Sequence, residues 1–165
     1  FMDVKIPFYN VVNMLLTGLI LIGCCILLFP HCILILLSNE LIPHLNITSE
    51  VVIVISIIAI SYEIGLIINR IGSIVIEPFL KITKLIPFEN DYAKFNESKL
   101  KYPILSTLSR EYALSRTNIS LYLLLLILSI ASKHWGFSVV FFLLILLFFF
   151  SCRKHAKKMV TLIRR

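Results

Sequence analysis

Charge is scarce in this chain. Asp, Glu, Lys and Arg make up 15% of its 165 residues, and only nine of them are acidic. The motifs of soluble chemistry are missing too. The four histidines, His31, His44, His134 and His155, are scattered and form no HExxH, which argues against a zinc hydrolase. The four cysteines, Cys24, Cys25, Cys32 and Cys152, lie in or beside apolar runs and form no CxxC, so neither a disulfide framework nor a structural zinc site is indicated. There is no glycine-rich loop to cradle a phosphate and no nucleophile elbow around the serines. These absences predict a chain that is not an enzyme and carries no metal and no cofactor.

Apolar side chains are present in abundance, at 59% of the residues with a mean hydropathy of +0.96. A soluble domain of this size cannot bury that much apolar surface. Several runs reach the roughly 18 residues that mark a membrane span. The sequence predicts a single all-α membrane domain, an integral membrane protein with four transmembrane helices. Its spans are expected at about 11–37, 50–77, 117–132 and 137–151, with a polar layer at 81–116 and a basic tail at 152–165. Pro30 is expected to break the first span, with Cys32–Leu37 continuing it, and Pro78 to bend or end the second. The Phe-rich run FSVVFFLLILLFFF is expected to face lipid, and the tail to lie against anionic headgroups.

The net charge of +7 reads as topology, with no direct binding of nucleic acid expected. Lys5, the 81–116 layer and the tail hold 14 of the 16 Lys and Arg, whereas the two short loops on the other side hold only Lys133. The positive-inside rule then places both termini in the cytoplasm of a bacterial inner membrane.

The second span carries the polar residues that need an explanation. Ser56, Glu63, Arg70 and Glu77 recur every seven residues and share one helical stripe, with Asn69 beside it. An ionisable group inside a bilayer costs about 2.5–3.5 kcal/mol on insertion scales, which makes Glu63 a candidate functional residue. One reading is a polar stripe that lines a pore. The other is polar glue, with Glu63 hydrogen-bonded to Tyr62, Asn69 or a neighbour's hydroxyl. Ser61, Gly65, Gly72 and Ser73 form a small-residue set that lets another helix approach closely. A helix with a polar stripe and a small-residue face predicts a homo-oligomeric bundle, such as a tetramer, with the second span near its centre and the last two outside.

In the polar layer, Phe88, Tyr92 and Phe95 follow i, i+4, i+7 spacing and form one aromatic helical face. They serve either to pack on the end of the bundle or to dock a soluble cytosolic protein. Lys99, Lys101, Arg110, Glu111 and Arg116 complete that candidate docking surface. After Pro103, Leu105, Leu108 and Tyr112 form an apolar stripe on a helix expected to continue into the third span.

Tyr62–Leu80, YEIGLIINRIGSIVIEPFL, is followed by a basic layer. In this run and in its four-span layout the chain resembles the KwaA family, the membrane subunits of the two-gene Kiwa anti-phage defence system. The resemblance is carried by Gly65, Arg70, Gly72, Ser73, Glu77 and Pro78. It implies a membrane-embedded oligomer that senses infection and works with a soluble DNA-binding partner. Three readings stay open at this point: a sensor or scaffold, a small channel, and, ranked last, an intramembrane enzyme.

Overall fold

A computed structural model of the chain describes residues 8–30, 47–84 and 92–164. Helix α1 spans Phe8–Leu28. Helix α2 spans Ile47–Ile71 and passes through a π-helical turn, Gly72–Ile76, into the short α3, Glu77–Ile82. Helix α4 is Tyr92–Lys101, α5 is Ile104–Ala131 and α6 is Trp135–Ile163. Among the described residues there is no strand. Four segments, Phe8–Leu28, Val51–Ile82, Ile104–Ala131 and Trp135–Ile163, are long and apolar enough to cross a membrane. The chain is an all-α, multi-pass membrane protein.

Proline and backbone chemistry set the helix ends. Helix α1 stops at Leu28, two residues before Pro30, because the ring disfavours helical geometry in the residue ahead of it. Cys32–Leu37 and most of the loop that follows lie outside the described residues. Pro78 does not end the second span. The π turn precedes it, with Glu77 N–H donating to Gly72 O, and Pro78 then sits in the first turn of α3, where its missing N–H is tolerated. Helices α5 and α6 are joined by a tight turn. Lys133 adopts φ 59°, and His134 N–H donates to Ser129 O at 2.9 Å.

The long helices form two antiparallel pairs, α1 with α2 and α5 with α6, and α5 touches both members of the first pair. Two serine pairs knit α5 to α6. Ser115 and Ser151 share a hydrogen bond of 3.0 Å near one end, and Ser129 and Ser138 share one of 2.8 Å near the other. One apolar core, Leu28, Ile68, Leu121, Leu125 and Phe141, lies inside the spans. Phe141 and Phe148, seven residues apart, both stack on Tyr122 of α5 at 6.3 and 5.6 Å. The Phe-rich run therefore divides: Phe142, Leu143, Leu147 and Phe150 are exposed, whereas Phe141 is buried.

A second core takes in the apolar residues of the tail. Helices α5 and α6, with 28 and 29 residues, are each about 40 Å long, well beyond the ~30 Å hydrocarbon layer. Their excess lengths stay together. Cys152, Ala156 and Met159 of α6 are buried against Leu105, Leu108 and Tyr112 of α5, with Ile76 and Leu80 from the second span. The apolar residues of the basic 152–165 tail are thus one wall of a helical platform. Its cations point outward, since Lys94, Lys99, Lys101, Arg153, Lys154, Lys157 and Lys158 are all exposed.

Candidate functional site at the junction of span and platform

The π turn decides which polar residues of the second span meet. It adds about one residue to a helical turn, so everything beyond it lags by about 100°. Ser56, Glu63 and Arg70 remain exposed on the outer face of α2. Glu77 leaves that stripe and turns inward. There its carboxylate ion-pairs with Arg116 of α5 and, through Oε1, with Lys81 Nζ at 2.8 Å. The Arg116 guanidinium also lies 6.0 Å from the Tyr112 ring centre, and its Nε is buried with no hydrogen-bond partner among the described residues.

Arg116 is therefore not part of an outward docking surface. Its side chain is only 12% exposed, because the carboxylate of Glu77 holds it in the junction. Asn69 likewise leaves the stripe. Its Oδ1 accepts a hydrogen bond from Thr117 Oγ1 at 2.9 Å, directly beside the ion pair in sequence. Gly72 makes the approach possible. A Cβ there would stand 2.9 Å from Ser120 Oγ and 3.4 Å from the Arg116 carbonyl. Ser73, one residue on, is exposed and does not pack between helices.

Ser61 and Gly65 lie on the opposite contact, against α1. A Cβ on Gly65 would overlap the Met14 carbonyl and stand 2.9 Å from its Cα. Gly18 of α1 is placed reciprocally against the Ser61 carbonyl, so each helix lends a small residue to the other's backbone. Ser61 keeps its own hydroxyl satisfied by donating to Ile57 O at 2.6 Å.

The remaining predicted surface residues separate. Lys99 and Lys101 are exposed on α4. Phe95 packs against the platform core, so its ring serves packing instead of an open face. Tyr92 begins α4, and Phe88 lies outside the described residues. Arg110 is exposed beside the Tyr9 ring, at 6.0 Å, and Glu111 accepts a long hydrogen bond from Tyr9 at 3.4 Å.

Reasoning from the sequence missed Gly18, Thr117 and the paired serines. A signal was available for each, because a polar or small residue in an apolar span is expected to face protein. Among the described residues no group of three His, Cys, Asp or Glu could hold a metal ion. The chemistry at the junction is charge matching and close backbone contact. It ties the second span to α5 at the level where the spans pass into the platform. No protein-family model matches the chain, and no curated protein and no solved structure matches it either.

Proposed function

We propose that the protein is a non-enzymatic membrane scaffold or sensor that holds a soluble cytosolic protein on its basic platform. The observation that carries this reading is the continuity of α5 and α6. Both run unbroken from the spans into a packed layer whose apolar side is buried and whose cations face out. A displacement among the spans is transmitted to such a layer as a rigid movement, whereas a frayed tail would absorb it. The positive-inside rule places this layer in the cytoplasm. The partner it suits presents an acidic surface.

A homo-oligomer belongs to the same proposal. The α2 face that bears Ser56, Glu63 and Arg70 is exposed in one copy, along with Ile53, Ile60, Ile67 and Ile74. A carboxylate in that position favours a second copy of the chain over lipid as its neighbour. The setting in bacterial anti-phage defence comes from the Tyr62–Leu80 resemblance alone.

The test is purification from the native host in mild detergent. Charge reversal at Lys99, Lys101, Lys154 and Lys158 is expected to release the co-purifying soluble protein while the membrane chain stays folded. Retention of that partner after reversal contradicts the docking surface. A second reading, a small channel, is favoured by the outward Glu63–Arg70 stripe. It predicts ion flux from reconstituted protein that changes with Glu63→Gln.

A further inference from the structure

A cleft of about 120 Å³ opens between α1, α2 and α5 at the platform end. For scale, an apolar protein cavity of about 150 Å³ takes up benzene. This cleft is polar. Three asparagines, Asn10, Asn13 and Asn69, and two arginines, Arg110 and Arg116, line it, and no carboxylate does among the described residues. Its charges do not cancel. Arg116 is matched by Glu77, whereas Arg110 makes no ion pair among the described residues: its contacts are Thr107 Oγ1 at 3.4 Å and the ring of Tyr9, whose hydroxyl donates to Glu111.

Hydrogen-bond donors accompany this charge. Each of the three asparagines carries an amide NH₂ that can donate into the cleft. The buried Nε of Arg116 adds a further donor without a partner among the described residues. A guanidinium with no ion-pair partner among the described residues, with amide donors around a small cavity, is the chemistry that recognises a phosphate-type oxyanion.

We propose that this cleft binds a phosphate group, supplied either by the headgroup of an anionic phospholipid or by a soluble phosphate. Its position makes both sources reachable. Asn10, Asn13 and Thr17 occupy the first three turns of α1, and from Ile119 to Ala131 α5 carries no charged residue. The cleft therefore lies where the hydrocarbon layer begins. The proposal is independent of the platform's partner, because Lys99, Lys101, Lys154 and Lys158 are not in the cleft.

The test uses the full chain in phosphatidylcholine nanodiscs, with and without phosphatidylglycerol. Native mass spectrometry reads retained lipid, and thermal unfolding reads protection by inorganic phosphate over chloride at equal ionic strength. Selective retention of phosphatidylglycerol identifies a headgroup site. Protection by inorganic phosphate in pure phosphatidylcholine identifies a soluble-anion site. In either arm Arg110→Gln and Asn13→Leu should each weaken the effect about tenfold, the weight of one charge-assisted hydrogen bond, and Lys158→Gln should leave it unchanged. The proposal is overturned by the absence of both retention and protection. It is equally overturned by an effect that survives Arg110→Gln and Asn13→Leu.

Discussion

Glu77 reaches Arg116 across 39 residues of chain, and it does so because a π turn has carried it off the face it would occupy on a straight helix. The pair lies in the junction, with side chains 19% and 12% exposed; Glu77 also has Lys81, whereas Arg116 has Glu77 as its one anionic partner among the described residues. Removing one partner of a largely buried pair strands the other, at a cost of about 3 kcal/mol. Glu77→Ala is expected to lower stability by that order in chemical unfolding from mixed micelles. Glu77→Leu combined with Arg116→Met should recover most of the loss. If the double variant is as unstable as the sum of the single ones, the two residues are not coupled.

The contact of α1 with α2 predicts a contrast among glycines. Gly18 and Gly65 face the partner's backbone, whereas a Cβ on Gly23 would meet nothing within 4 Å. Gly18→Val and Gly65→Val should force the helices apart and cost about 2 kcal/mol or more, as overpacking does. Gly23→Ala should be neutral or stabilise by up to about 1 kcal/mol through helix propensity. Equal effects at all three positions would contradict the close approach.

Gly72 tests the docking of the π turn. Gly72→Ala places a methyl group against the Ser120 hydroxyl, so a loss of about 1 kcal/mol is expected. Adding Ser120→Ala should restore most of it, because the obstructing hydroxyl is gone and no helix propensity is lost. Failure of that rescue would place the strain in the turn itself.

Lys133 takes a left-handed backbone at φ 59° in the turn between α5 and α6. A residue with a Cβ is strained there by about 1 kcal/mol, and glycine is not. Lys133→Gly is expected to raise the unfolding midpoint. Lys133→Val should lower it.

The four spans were legible because long apolar runs have few other uses in a chain of this size. The break ahead of Pro30 was legible from ring chemistry. The fate of the polar stripe was not, because heptad spacing assumes one uniform helix, and the turn at Gly72–Ile76 changes the phase between Arg70 and Glu77. The platform was half legible. Cys152, Ala156 and Met159 follow the i, i+4, i+7 spacing of a buried face, but the surrounding Lys and Arg drew the reading toward headgroups. Gly18 shows the remaining limit. A lone glycine in an apolar run marks a close approach only once the partner helix is known, and Gly23, five residues on, has open space beside it.

The most direct measurement of the central claim is the native mass of the complex purified in mild detergent from its own host, with every co-purifying chain identified. Several copies of this protein carrying a soluble, acidic-faced partner are expected. That partner should be lost on charge reversal at Lys99, Lys101, Lys154 and Lys158. An assembly of this chain alone, conducting ions in a manner that depends on Glu63, would contradict the scaffold and place the function in the stripe.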